Sequence, residues 1–287
     1  MSNQESLPEL APRAADSHKG TFGTALVVGG SRGMAGGVAL AGMAALRGGA
    51  GLVRVATPDV CLETVAGFEP AYTTIPLPCD RAGRIAFAAR NDIARAAAWA
   101  TAMGLGPGLG RSVGLDALVA RLYRELPLPM VVDADALNAL AARGEVLAQA
   151  GGPRVLTPHP GEFARLVGGR LPVGDWHEAA ARLARRSGAV VVLKKGRTLV
   201  TDGEARFVNR TGNPGLATGG TGDVLTGLIT SLMCQGLGPL AAARLGVHLH
   251  GLAGDLGAAE LGQESLLASD LVRYLPRAFL DYRSGRE

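Results

Sequence analysis

Asp223 follows the run Gly219-Gly220-Thr221-Gly222, and this is where the sequence concentrates its chemistry. Val224, Leu225, Leu228, Ile229, Leu232 and Met233 recur at helical spacing, which predicts a helix over 223–235 with Asp223 in its first turn. A loop nearly devoid of Cβ atoms lets backbone N–H groups converge on one anion, and the positive end of the helix dipole adds to them. Gly220, Thr221 and Gly222 would then cradle a phosphate and stabilise charge on a transferring phosphoryl group, with Asp223 beside them to take a proton from an attacking hydroxyl. The plainer alternative is that Asp223 caps its helix, since Asp is favoured there. A second glycine cluster just upstream, Gly212 and Gly215, is more than a cap requires and favours the functional role.

Other residues stand where a ligand could reach them. His159 follows an apolar strand and is braced by Pro158 and Pro160, at the mouth where open α/β sheets bind ligands; a histidine merely satisfied at a strand end is the competing explanation. Glu162, three residues on, is either a functional acid or a helix-start glutamate favoured by the dipole. Gly106-Pro107-Gly108-Leu109-Gly110 lies between an apolar strand and a helix, where a ligand can approach bare backbone or the chain simply turns. Lys195-Gly196-Arg197-Thr198 ends a strand and forms a rim suited to a nucleotide, lysine acting as a point charge toward phosphate, although a solvated strand-end lysine is the commoner case for any single Lys. Asp133 and Asp135 end another strand; Asp133 reads as a supporting residue and Asp135 as a candidate cap. His248 and His250, two apart on a helix, point to different faces and read as structural.

These residues need a scaffold that brings strand ends together. Thr24 to Gly29 reads as a strand and 34–47 as an alanine-rich helix; further strands are expected at 52–56, 101–105, 130–133, 154–156 and 189–194, with helices at 112–125, 136–149 and 175–187. Alternation of this kind means a mostly parallel sheet covered by helices on both faces, an α/β/α sandwich. Residues 198–201 and 205–208, joined through Asp202-Gly203-Glu204, predict an antiparallel edge hairpin. Helices over 223–235, 239–259 and 268–281 complete the chain. With no repeat and no sharp composition shift, residues 19–287 read as one domain behind a flexible lead-in, 1–18.

Composition narrows the function classes. No run of about 18 apolar residues occurs and residues 1–20 lack the core of a secretory signal, so the expected location is the cytoplasm, without a membrane partner. Three widely spaced cysteines offer neither a disulfide framework nor a structural zinc site. A net charge of +4 with dispersed arginines does not mark a nucleic-acid surface. The 42 glycines alternate with apolar stretches and read as tight turns rather than disorder.

Taken in order, Lys19-Gly20 with Gly23, Gly29-Gly30-Ser31, Leu46 to Val53, Gly106 to Gly110, Val132-Asp133-Ala134-Asp135-Ala136-Leu137-Asn138, Thr157 to Glu162, Lys195-Gly196 and the glycine loop with Asp223 resemble the ADP-dependent NAD(P)H-hydrate dehydratase family of the ribokinase-like superfamily. Each segment alone is weak; the ordered set covers about residues 19 to 257 and is specific. The resemblance implies a ribokinase-like fold and a repair reaction: dehydration of the S-epimer of NADHX or NADPHX to NADH or NADPH, with ADP as co-substrate, Mg2+, and release of AMP and phosphate. It implies Asp223 as catalytic base, Ala41, Gly108, His159 and Asp223 at the substrate, and Lys195, Gly196, Arg197, Thr198, Gly220, Thr221 and Gly222 at the nucleotide. Glu162 would organise the metal and its water. A homotetramer is also implied. Family members often carry an N-terminal epimerase domain; the short polar start here leaves no room for one, so the NAD(P)HX epimerase is expected as a separate chain.

The enzymatic alternative is a ribokinase-like kinase for a vitamin precursor or other small alcohol, using the same loop and leaving the phosphate on its product. A catalytically dead nucleotide-binding protein would retain the fold but not need the Gly222-Asp223 pair. An oxidoreductase is disfavoured because Gly29 to Gly33 does not give Gly-x-Gly-x-x-Gly, and a phosphate-loop ATPase because no glycine run leads into Lys-Ser/Thr.

Overall fold

The computed structural model describes residues 6–169 and 174–285. Its strands are β1 (Thr24–Val28), β2 (Leu52–Pro58), β3 (Thr73–Leu77), β4 (Ala102–Leu105), β5 (Met130–Val132), β6 (Arg154–Leu156), β7 (Val190–Leu193), β8 (Leu199–Thr201) and β9 (Arg206–Val208). The helices are α1 (Ala35–Arg47), α2 (Leu62–Ala66), α3 (Arg90–Ala97), α4 (Val113–Glu125), α5 (Ala134–Ala141), α6 (Pro160–Leu166), α7 (Trp176–Ser187), α8 (Thr221–Cys234), α9 (Pro239–Leu261) and α10 (Ala268–Ser284). The strands form one sheet in the order β3-β2-β1-β4-β5-β6-β7-β8-β9. β1 to β7 pair in parallel, and β8 and β9 add the antiparallel edge.

Each central strand is buried on both sides, so its successive side chains feed two cores. Ala25 and Val27 of β1 pack with α1, α8, α9 and α10, whereas Leu26 and Val28 pack with α3, α4, α5 and α7. The fold is therefore the expected three-layer sandwich. Because β1 lies between β2 and β4, the chain reverses direction across the sheet there, opening a crevice beyond the strand C-termini.

Several elements differ from expectation. β3 was not anticipated, since Thr73–Leu77 contains Pro76; it is tolerated because β3 is an edge strand, paired only with β2. The helices α2 and α3 are short and were not anticipated, while the short α6 is the helix that a helix-start Glu162 calls for. The helix expected over 136–149 divides into α5 and a 3₁₀ turn at Gly144–Ala148, broken at Arg143. Of the expected lead-in, residues 1–5 lie outside the described residues. Residues 6–18 contact the body: Leu10 is buried, Arg13 stacks on Phe22 and donates to the Gly49 carbonyl at 2.7 Å, and Tyr282 donates to the Pro8 carbonyl. Among the described residues no helix is long and apolar enough to cross a membrane.

Candidate active site

The crevice floor is built from turns that follow β1 and β4. Gly30 N–H donates to the Pro107 carbonyl at 2.8 Å and Ser31 Oγ to the Gly108 carbonyl at 2.8 Å, which ties the two turns together. Gly108 has φ +64°, and a Cβ there would come within 2.3 Å of the Met34 carbonyl oxygen, so only glycine lets α1 start this close.

The glycine loop descends onto this floor from the other side. Asp255 of α9 holds its start, accepting from Gly212 N–H at 2.8 Å and Asn213 Nδ2 at 2.9 Å. The loop then turns into α8 at Gly220, whose φ of +94° suits glycine, and no side chain caps the helix. The first-turn N–H groups of Thr221, Gly222 and Asp223 thus have no partner within the helix. From behind, His250 Nε2 lies 2.9 Å from the Thr221 carbonyl; a carbonyl only accepts, so the ring donates.

Asp223 is the third residue of α8, and its carboxyl does not cap. It lies over Gly37 of α1: a Cβ built on Gly37 would be 2.9 Å from Asp223 Oδ2 and 3.4 Å from Gly108 N. Burial pushes this carboxyl up to about 7; Asp133 adds to the rise, Lys194 opposes it, and Asp135 adds further. A capping carboxylate would move the other way, since its hydrogen bonds favour the charged form. A group titrating near neutrality is suited to accept a proton and give it up again.

Under Gly222 sits an ion pair. Lys194 Nζ bonds Asp133 Oδ1 at 2.8 Å, and Thr226 of α8 donates to Asp133 Oδ2 at 2.8 Å. A Cβ on Gly222 would be 3.2 Å from Lys194 Nζ and 3.4 Å from Asp133 Oδ2. Burial pulls the Lys194 ammonium down, but Asp133, Glu162 and Asp223 together outweigh it and leave it raised and charged. Lys194 N–H also donates to the Pro158 carbonyl at 2.9 Å, which brings the turn carrying His159 alongside.

His159 and Glu162 form a reciprocal cap on α6. His159 Nδ1 accepts from Gly161 N–H at 3.0 Å, while Glu162 accepts from His159 N–H at 2.8 Å. Glu162 is only 5% exposed, and burial lifts its carboxyl to about 7, with Lys194 opposing. The His159 ring is about half exposed; burial lowers its proton affinity, and Lys194 and Arg165 lower it further.

The structure brings Asp223, Gly108, Gly220, Thr221, Gly222, His159 and Glu162 to the same end of the sheet. Lys195, Gly196 and Arg197 line a neighbouring cavity of about 350 Å³ with Trp176 and His177, and Lys195 Nζ sits 4.2 Å over the Trp176 ring. Thr198 follows, partly buried, just before β8. Ala41 is fully buried in α1, where a Cβ on Gly227 of α8 would meet its carbonyl oxygen at 1.9 Å. Its small side chain accompanies the close packing of α1 on α8. Lys194 was missed, because two adjacent lysines at a strand end carry no signal for which one turns inward. Asp135 is no cap; Oδ2 accepts from Gly110 N–H at 2.8 Å and braces the turn after β4.

Comparison with known proteins adds an independent line. Residues 25–277 match the model of the family described as NAD(P)H-hydrate dehydratase. The chain is 45% identical over 272 residues to the bifunctional NAD(P)H-hydrate repair enzyme of Moorella thermoacetica, covering 93% of this chain and 51% of that one. The chain thus spans about half the length of the curated relatives it matches. Among solved structures, the ADP/ATP-dependent NAD(P)H-hydrate dehydratase from Bacillus subtilis, co-crystallized with ATP/Mg2+, superposes with TM-score 0.78 at 32% identity, covering 94% of each chain. A ribokinase-like superfamily protein from Enterococcus faecalis superposes with TM-score 0.81 at 25% identity, covering 95% of this chain and 92% of that one.

Proposed function

The chain belongs to the NAD(P)H-hydrate dehydratase family, and from that premise we propose that it regenerates NADH and NADPH from their S-epimer hydrates, with ADP as phosphoryl donor and AMP and phosphate as by-products. One observation carries the proposal: an aspartate that does not cap stands in the first turn of an uncapped, glycine-led helix, over Gly37 and beside Gly108, where burial pushes its carboxyl up. Asp223 takes the proton of the hydrate's ring hydroxyl as that oxygen attacks the terminal phosphorus of ADP, and AMP departs. The N–H groups of Thr221, Gly222 and Asp223 offset the charge gathering on the transferring group. Departure of phosphate, a far better leaving group than hydroxide, together with loss of a proton from the neighbouring ring carbon to solvent, then restores the ring double bond. Gly108 and His159 contact the hydrate, and Lys195 to Thr198 the AMP moiety.

The donor set fits a cation that arrives with the nucleotide. Among the described residues no three His, Cys, Asp or Glu side chains form a cage, and Mg2+ ordinarily keeps several waters and takes phosphate oxygens. Glu162 would hold one such water, and the bound ion supplies charge neutralisation at the phosphates.

Incubation of the purified protein with NADHX, ADP and Mg2+ tests the proposal. Nicotinamide absorbance should return only with ADP present, with one AMP and one free phosphate per NADH. A phosphorylated product that accumulates would instead identify a small-alcohol kinase.

A further inference from the structure

Asp133 is 1% exposed, and its carboxylate bonds no backbone of its own helix, although it stands at the N-cap position of α5. Both oxygens are instead committed across the crevice, one to Lys194 at the end of β7 and one to Thr226 on α8. The backbone is bent to achieve this. Ala134 has φ +49° and is the one non-glycine residue with positive φ among the described residues. Gly106 has φ +133° and makes room for the Asp133 carbonyl, which a Cβ there would approach to 1.9 Å. Buried ion pairs are seldom kept for stability alone, because desolvation cancels much of their attraction.

We infer that Asp133 is a positioning residue that acts through Lys194: the Asp133–Lys194–Thr226 lock ties the ends of β5 and β7 to the first turn of α8 and holds one ammonium beneath Gly222. That ammonium is then fixed, before any ligand arrives, next to the amides that receive the transferring phosphoryl group. Fixed charges of this kind need no reorganisation during reaction. Lys195, one residue on, is exposed at the rim with its Nζ 4.2 Å over the Trp176 ring. The charged surroundings are mutual: Asp223 is faced by Asp133 and Asp135 from the turn after β5 and by Lys194 from β7, while Glu162 from α6 and His250 from α9 face Lys194.

The inference rests on the proposed reaction and is tested with it. Asp133→Asn keeps the shape but removes the charge; kcat should fall roughly 10- to 100-fold, with KM for the hydrate within about threefold. Adding Asp133→Asn to Lys194→Gln should cost less than about threefold more, since the first residue works through the second. Losses that multiply would overturn the inference, as would Asp133→Asn at the wild-type rate. A ligand-free readout accompanies these: in carbon-13 NMR titration of Asp223, Asp133→Asn should titrate lower than wild type and Lys194→Gln higher. General loosening would hydrate Asp223 and lower both, which would also overturn it. Should Lys194→Gln fail to fold, Asp133→Asn decides alone: a downward shift with the wild-type thermal melt kept supports the lock, while no shift, or a downward shift with a clearly lowered melt, overturns it. Wild type that fails to regenerate nicotinamide refutes the reaction instead, and the titration then decides the lock.

Discussion

Two helix starts face the crevice with the same local plan and opposite outcomes. In α6 the order is His159, Pro160, Gly161, Glu162; in α8 it is Gly220, Thr221, Gly222, Asp223. Each places an acid at the third helical position, and burial raises each carboxyl to about 7. At α6 the histidine ring accepts from Gly161 N–H and the glutamate from His159 N–H, so the helix start is closed. At α8 the cap is glycine, nothing satisfies the first-turn amides from within the helix, and the acid stays free over Gly37. An anion can dock at α8 only because the residue that would ordinarily cap it is absent.

The comparison breaks first at Asp223. Asp223→Asn removes the proton acceptor in a nearly isosteric side chain, and turnover of NADHX should fall at least ~10²-fold. A variant at full activity would make Asp223 no more than a neighbour of the cradle. Gly37→Ala comes next: its methyl would meet Asp223 Oδ2 at 2.9 Å and turn the carboxyl away, for a loss of roughly tenfold or more. Because alanine favours helix over glycine, a thermal melt should show stability kept, which separates displaced chemistry from unfolding.

Glu162→Gln sharpens the other side. The amide oxygen can still accept from His159 N–H, so the cap persists, while the rate should drop by about tenfold or less and need more Mg2+ for half-maximal turnover. Equal losses at Glu162 and Asp223 would abolish the distinction between a closed and an open helix start.

Stability should respond to pH in a stated direction. Asp223 holds its proton to about 7 when folded but ionises near its ordinary 3.8 when unfolded. Its contribution is therefore fully present below about 4 and lost as pH rises through 7. Asp223→Asn should match wild type at acid pH and exceed it at pH 8, by on the order of 4 kcal/mol in denaturant melts. Activity should run the other way in wild type, rising with pH as the base ionises.

Much of this was legible before any fold was in view. The strand, loop and helix alternation rests on short-range periodicity, and the glycine loop announced itself because four residues with so few Cβ atoms before an acid are costly anywhere but at a ligand. What stayed out of view was non-local. Glu162 and His159 look functional in sequence, yet their mutual capping appears only when the turn closes. Ala41 stands in the sequence only as a small residue suited to a substrate contact; that it is fully buried where α8 approaches at Gly227 appears only in the fold.

By itself the sequence determined the layered α/β plan, the antiparallel edge and the identity of Asp223 as the residue to watch, since all three are written in spacing and residue type along a few turns of chain. Only the tertiary structure decided that Lys194 rather than Lys195 turns inward, that Asp133 pairs with it across 61 residues, and that two carboxyls titrate near 7. Those outcomes depend on burial and on charges brought together by the packing of distant elements, and the local order of residues carries no measure of either.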